Sequence, residues 1–116
     1  MRTESNSMTQ TSERRRDPRR MCSLRVRLQI AGRPEPLTVE VMDVSNTGCF
    51  FKAPENVNLY TRVAFGFAIT PRCMGVARGR IVRVAGFSGF GMEIDHANDA
   101  FLGFVAGLAA APSHLP

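Results

Sequence analysis

The sequence of 116 residues has no tryptophan and almost no lysine, since Lys52 is the single lysine among 15 basic residues. Lysine would serve solubility as well as arginine does. Only arginine offers a planar fork for phosphates and guanine edges, and a flat face for stacking. The preference for arginine and the net charge of +5 therefore favour an anionic partner. A genome rich in G and C would also enrich arginine, so composition alone does not decide between the two explanations.

The sequence also lacks the residue spacings of metal and catalytic sites. Cys22, Cys49 and Cys73 are too far apart for a CxxC pair, and His96 and His114 have no cysteine or carboxylate partner at metal-ligand spacing. There is no P-loop, nucleophile elbow or pair of catalytic carboxylates. We therefore expect no metal, no cofactor and no enzymatic activity. The three cysteines are predicted to be buried thiols in a reducing compartment.

No long apolar run is present. The longest uncharged stretch, residues 100–113, has 14 residues and contains glycine and proline, so it is too short to span a bilayer. The N-terminus does not show the apolar segment of a secretory signal. These two features predict a cytoplasmic protein. The contents of 44% hydrophobic and 22% charged residues are those of an ordinary globular chain.

Alternation of apolar and polar residues predicts an all-β fold. Strand patterns occur at residues 24–30, 37–44, 49–53, 62–69, 76–85 and 90–95, with turns between them. Six short strands at this spacing predict an antiparallel meander closed into a small barrel. The alternation slips at Met42, which predicts a β-bulge that re-aims Asp43. Arg78, Arg80 and Arg83 of the fifth strand either extend a basic face or are simply its solvent side, and the second interpretation is preferred at least for Arg83.

One helix is predicted after the last strand. Asn98 or Asp99 can cap it, and Asp95, beside His96, is predicted to belong to the helix start. An apolar stripe recurs at helical spacing, at Phe101, Phe104, Val105 and Leu108. We expect this stripe to cover an open end of the barrel. The predicted organisation is a disordered N-terminal segment at 1–13, one domain at 14–110 and a C-terminal tail at 111–116.

Two short motifs carry the chemistry. "RRRDPRR" occupies residues 14–20, directly before the first predicted strand, and "DVSNTG" occupies residues 43–48, after the second. Each motif alone is weak, because basic runs are often solvated arms and the second motif suits a hairpin turn with a glycine at positive φ. Their joint spacing, Arg-x-x-x-Arg and then Asp-x-Ser-x-x-Gly, resembles the PilZ domain family. The resemblance runs from Glu13 to the helix, and "GFGMEI" at 89–94 is similar to the family's last strand.

The resemblance implies a fold, a ligand and a site. The fold is a six-stranded antiparallel PilZ-type barrel with a C-terminal helix and a flexible N-terminal arm, and the ligand is the bacterial messenger cyclic di-GMP. The implied ligand-binding residues are Arg14, Arg15, Arg16, Arg19, Asp43, Ser45 and Gly48. Asp17 stands where the family often has an apolar residue, and its carboxylate would compete with phosphate. Arg20 also allows a second alignment of the Arg-x-x-x-Arg motif. In that alignment Arg16 and Arg20, rather than Arg15 and Arg19, occupy the two arginine positions.

The residue types suit this ligand. The arginine fork fits guanine O6 and N7, and Asp43 can accept from guanine N1–H and N2–H. Ser45 offers a hydroxyl, and Gly48 lets backbone approach the ligand or permits the turn. We expect a stand-alone receptor that changes conformation on binding and signals to a protein partner. Two alternatives stay open: a PilZ-like interaction module that binds no nucleotide, and a basic barrel that binds RNA or single-stranded DNA.

Overall fold

A computed structural model describes residues 19–86 and 89–110 of the protein. The elements are β1 (Arg20–Ile30), β2 (Leu37–Val44), β3 (Gly48–Lys52), β4 (Arg62–Thr70), β5 (Cys73–Val84), β6 (Gly89–Ala97) and α1 (Asp99–Ala110). The strand β1 begins before residue 24, because Arg20 and Cys22 continue the inward alternation of Leu24 with less apolar side chains. The segments predicted as a disordered N-terminus, 1–13, and as a C-terminal tail, 111–116, lie outside the described residues.

The strands pair antiparallel and close into a barrel in the order β1-β2-β3-β6-β5-β4. The predicted six-stranded antiparallel barrel is therefore confirmed. The prediction of a simple meander is wrong, since β3 pairs with β6 and β4 pairs with β1. The segment between β3 and β4 carries the chain across the barrel end, and its buried Ala53 and Val57 join the core. Its last residues, Tyr60 and Thr61, form backbone hydrogen bonds with Ile81 of β5. This order places β6, and then β5, next to the strands that hold the second motif.

Two irregularities in strand register shape the end of the barrel. The pairing of β2 with β3 shifts between Val41 and Asp43, which confirms the predicted bulge. A second shift lies between Met21 and Leu24, where β1 pairs with β2. As a result Asp43 stands opposite Met21 on one side and opposite Phe50 on the other.

An aromatic cluster occupies the middle of the core. The ring centre of Phe51 lies 5.6 Å from that of Phe65 and 5.4 Å from that of Phe90. Phe101, from α1, lies 6.0 Å from Phe65 in an edge-to-face arrangement. Such pairs stabilise by about 0.5–1.5 kcal/mol each beyond the apolar area they bury. The cluster therefore ties the helix to the barrel.

The helix packs beside the shortest seam of the barrel. β1 and β4 pair at two positions only. The helix α1 lies beside this short pairing, where it contacts β1 and β5. Of the predicted stripe, Phe101 and Val105 are buried, while Phe104 and Leu108 are half-buried. In the part of the chain that the structure describes, no helix has the length and apolar character needed to cross a membrane.

Candidate functional site

The structure brings four of the predicted site residues together at one end of the barrel. Arg19 precedes β1, Asp43 lies at the bulge of β2, and Gly48 begins β3. Ser45 forms part of the turn between β2 and β3. Arg14, Arg15 and Arg16 are outside the described residues, so their part in the site stays a prediction.

Arg19 and Asp43 form a partly exposed ion pair across the two motifs. The Arg19 Nη1 atom lies 2.6 Å from Asp43 Oδ1, and the two side chains are 48% and 26% exposed. An exposed pair of this kind contributes about 0–1 kcal/mol to stability. Opening it for a ligand therefore costs little. The pair places one arginine fork and one carboxylate side by side at the surface, which are the two groups that recognise guanine edges.

Ser45 holds the turn that follows Asp43. Its side chain is 2% exposed, and its Oγ accepts from the backbone N–H of Thr47 at 3.2 Å and of Gly48 at 3.1 Å. The Ser45 N–H donates in turn to the Gly48 carbonyl at 2.8 Å. The hydroxyl is thus engaged within the turn. Direct contact of Ser45 with a ligand stays a prediction, and its observed contribution is to hold the turn between β2 and β3.

Gly48 is required for space. The positive φ suggested by the turn pattern is wrong, since the described glycines with positive φ are Gly32 and Gly86. An ideal Cβ on Gly48 would lie 2.9 Å from the Met92 carbonyl oxygen and 3.5 Å from Arg19 Nη2. Gly48 therefore allows β6 to pair closely with β3, while a Cβ would only come into ordinary contact with the Arg19 guanidinium.

Arg19 reaches Asp43, and Arg20 does not. Arg20 continues the inward-facing side of β1, and its Nε atom is buried with no hydrogen-bond partner among the described residues. In the described part of the chain, Arg19 is thus the arginine that joins the two motifs. This arrangement favours the register that pairs Arg15 with Arg19.

Two of the cysteines lie beside the site. Cys49 is buried, and burial raises the pKa of its thiol far above the usual range. Cys22 donates to the Val41 carbonyl at 3.5 Å, and burial, followed by the charge of Asp43, raises the pKa of its thiol. The prediction of buried thiols is wrong for Cys22 and Cys73, which are both half-buried. Cys22 lies at the barrel mouth, and Cys73 follows the turn between β4 and β5. No group of three His, Cys, Asp or Glu side chains that would suit a metal occurs in the described ranges.

The outward face of β4, β5 and β6 carries further charges. Arg78, Arg80 and Arg83 are exposed there, as predicted. Arg62 donates to Asp95 at 2.8 Å and 3.4 Å, and this hydrogen bonding holds the pKa of Asp95 below its usual value. The interpretation of Asp95, beside His96, as a helix-start residue is wrong. Both residues lie within β6, which runs on to Ala97 because His96 and Ala97 pair with Arg78 and Ala77 of β5.

One aromatic residue beside the site was missed by sequence reasoning. Phe50 pairs with Asp43 on β2 and with Gly91 on β6, and its side chain is half-buried on the outward face. The adjacent Phe51 is buried in the core. Two consecutive phenylalanines in a strand point to opposite faces, so the doubled "FF" was the available signal.

These features define a class: a closed antiparallel barrel with an arginine–carboxylate pair at its mouth, suited to binding a ligand with acidic and guanine-like edges. The profile of the PilZ domain matches residues 13–103, and the chain belongs to the PilZ domain family. PilZ domains are cyclic di-GMP-binding modules, and they act as receptors rather than enzymes. The match covers both motifs and ends inside α1. No curated protein matches the chain.

Proposed function

We propose that this protein is a stand-alone cyclic di-GMP receptor of the bacterial cytoplasm, which changes conformation on binding and signals to a protein partner. The observation that carries the proposal is the partly exposed Arg19–Asp43 pair, held by the Ser45 turn in a member of the PilZ family. It joins the two motifs whose joint spacing marks the ligand site of the family.

Both members of the ion pair have a complementary group on the ligand. A carboxylate such as Asp43 accepts from guanine N1–H and N2–H, and an arginine such as Arg19 donates to guanine O6 and N7 or to a phosphate. Each charge therefore exchanges its protein partner for a ligand partner. No charge is left unpaired after this exchange. An unpaired buried charge would cost far more free energy than the exposed ion pair contributes.

The other arginines of the first motif precede Arg19 by only a few residues. Arg15 is four residues from Arg19, so the reach of the chain keeps their Cα atoms within about 14 Å. We infer that Arg14, Arg15 and Arg16 bind the ligand phosphates from this side. Drawing them onto the ligand changes the surface beside β1 that a partner protein meets, and ligand binding then shifts the population of the state that the partner recognises.

The aromatic side chains support this proposal over the nucleic-acid alternative. A barrel that binds single strands needs exposed aromatic platforms for successive bases. Among the described residues, no phenylalanine is fully exposed, and Tyr60 is the single exposed aromatic side chain. The Arg80 guanidinium lies 5.7 Å from the centre of the Tyr60 ring, which covers part of its stacking face.

Titration calorimetry with cyclic di-GMP, with GTP as the control ligand, tests the proposal. We expect saturable binding of the cyclic dinucleotide alone. Asp43→Asn keeps the side-chain shape and removes a carboxylate oxygen, and Arg19→Ala removes the fork. Each is expected to weaken binding by about 1.5–3 kcal/mol or more, the range for a hydrogen bond to a charged group.

Arg72→Ala provides the matched control. It removes one exposed arginine from the turn between β4 and β5 and so makes the same change in net charge as Arg19→Ala. Its affinity for cyclic di-GMP is expected to equal that of the wild type. A folded wild-type protein that does not bind the cyclic dinucleotide would overturn the proposal, and the ligand-free interaction module would take its place.

A further inference from the structure

A continuous row of outward positions crosses the barrel from the second motif. Asp43 of β2 stands opposite Phe50 of β3, Phe50 opposite Gly91 of β6, and Gly91 opposite Arg83 of β5. These four residues are named the outer row. The row exists because β6 pairs with β3, so it has no counterpart in a simple meander.

Two glycines of β6 bring the Phe50 ring close to Arg83. An ideal Cβ on Gly89 would lie 2.7 Å from Phe50 Cζ, so the ring rests where a side chain would otherwise be. An ideal Cβ on Gly91 would lie 3.7 Å from Phe50 Cδ1 and 3.8 Å from Arg83 Cβ. No side chain therefore separates the aromatic ring from the arginine.

Arg83 is held in place by the ring and keeps its charge available. Its Cζ atom lies 5.6 Å from the centre of the Phe50 ring, within the range of a cation–π contact. In contrast to Arg80, which forms an ion pair with Glu93 on the same face, Arg83 has no ion pair within the described ranges. A planar ring thus lies beside Asp43, and the Arg83 fork lies over that ring.

The outer row places a carboxylate and a guanidinium at its two ends. Neighbouring strands lie about 4.8 Å apart, so three steps separate the backbones of Asp43 and Arg83 by roughly 14 Å. The Arg83 side chain extends along the row to Phe50, while the Asp43 carboxylate is paired with Arg19. Between these two positions the Arg83 guanidinium lies over the Phe50 ring, 5.6 Å from its centre.

We propose that Arg83, positioned by Phe50, is a ligand-binding residue that recognises guanine O6 and N7, while Asp43 accepts from N1–H and N2–H of the same base. This inference rests on the proposed function and adds a specificity-determining residue outside the two motifs. The base lies across Phe50 between an acceptor and a donor that match two edges of guanine. Adenine presents an amino donor in the place of O6, so Arg83 disfavours it.

Calorimetry on single variants tests the assignment. Arg83→Ala is expected to lower the affinity for cyclic di-GMP about tenfold or more, the lower part of the range for losing a bidentate base contact. Arg83→Lys keeps the positive charge but removes the planar fork, so its affinity for cyclic di-GMP is expected to be close to that of Arg83→Ala. Phe50→Leu keeps an apolar side chain without the ring and is expected to weaken binding as well. Arg78→Ala is the matched control, since Arg78 is exposed on the same strand and lies outside the outer row.

A ligand analogue separates base recognition from a general effect of charge. The 7-deazaguanine analogue of cyclic di-GMP lacks N7, so the wild type is expected to bind it several-fold more weakly. Arg83→Ala is expected to bind the analogue and cyclic di-GMP equally well. Equal losses in Arg83→Ala and Arg78→Ala would reduce the effect to bulk charge and overturn the assignment.

The proposed function and this inference fail in different ways. If Arg19→Ala and Asp43→Asn lose binding while Arg83→Ala binds like the wild type, the receptor function stands and the role of Arg83 is wrong. If the folded wild type does not bind cyclic di-GMP, both are wrong. Thermal unfolding of each variant shows that the lost affinity does not come from a lost fold.

Discussion

At the scale of a single residue, Gly48 shows that a motif position can require glycine because no room exists for a side chain. Its missing side chain lets the Met92 carbonyl approach to within 2.9 Å of where a Cβ would lie. A backbone carbonyl cannot yield as a flexible side-chain end does, so any Cβ forces β3 and β6 apart. This motif position is therefore required by the pairing of β3 with β6.

Replacing Gly48 by alanine is expected to destabilise the fold by about 1–3 kcal/mol, the range for forcing an extra methyl into a packed site. Urea unfolding measures this change. Gly103→Ala is the matched control, since an ideal Cβ on Gly103, within α1, meets nothing within 4 Å. That variant is expected to gain about 0.5–1 kcal/mol from better helix propensity. Equal effects of the two substitutions would contradict the steric explanation.

At the scale of elements, the sequence predicted which segments are strands better than it predicted their neighbours. Alternation is local, so the six strands and the bulge before Asp43 were recognisable. The pairing of β3 with β6 depends on contacts between distant segments, which periodicity does not encode. Strand ends were also uncertain, because Arg20 and His96 lie within strands although neither continues an apolar pattern.

The same distinction explains the site. The meeting of Arg19 with Asp43 was predictable from the joint spacing of two motifs that follow the family pattern. The closeness of Arg83 to Phe50 was not, because it depends on the strand order. The role of Ser45 within the turn was also not predictable from the sequence, because its hydroxyl can hydrogen-bond either a ligand or a backbone amide, and the structure shows the amide.

Asn98 joins the helix to the barrel and provides a test at this scale. Its Oδ1 accepts from the N–H of Phe101 at 2.9 Å and of Val76 at 3.1 Å, and its Nδ2 donates to the Met74 carbonyl at 2.9 Å. Asn98→Ala removes the helix cap together with two contacts to β5. We expect a loss of about 2 kcal/mol or more in the free energy of unfolding, above the usual cost of about 1 kcal/mol for a cap alone.

Asn98→Asp and Asp99→Asn separate the contributions. Asn98→Asp keeps the acceptor for the helix and loses the donor to Met74, so an intermediate loss is expected. Asp99→Asn removes the acidic charge of the first turn and keeps the cap, with an expected loss of about 0.3–1 kcal/mol. If Asn98→Ala cost no more than Asp99→Asn, the contacts to β5 would contribute nothing measurable.

At the scale of the whole molecule, the preference for arginine simplifies the response to alkaline pH. Arginine keeps its charge up to about pH 12, so few side chains titrate between neutral pH and that limit. The sequence holds one lysine, one tyrosine and three cysteines. Of these, Cys49 is buried, and burial is the main cause that raises the pKa of its thiol.

Stability is therefore expected to fall at alkaline pH. Below about pH 8.5, the thiol of Cys49 is neutral in both states, and its contribution to stability is fully present. As the pH rises above that value, the thiol ionises in the unfolded chain but not in the folded one, because its folded pKa is raised. The free energy of unfolding then falls by up to about 1.4 kcal/mol per pH unit for each such thiol, until the raised folded pKa is reached.

Urea unfolding between pH 7 and 10.5, under reducing conditions, measures this slope. Cys49→Ala is expected to flatten it, leaving the smaller share of Cys22, whose pKa is also raised mainly by burial. Val44→Ala is the control, because Val44 is buried opposite Cys49 and leaves a cavity without removing a titrating group. It is expected to lower stability at every pH and keep the wild-type slope. The same slope in Cys49→Ala and the wild type would show that the alkaline loss arises elsewhere in the molecule.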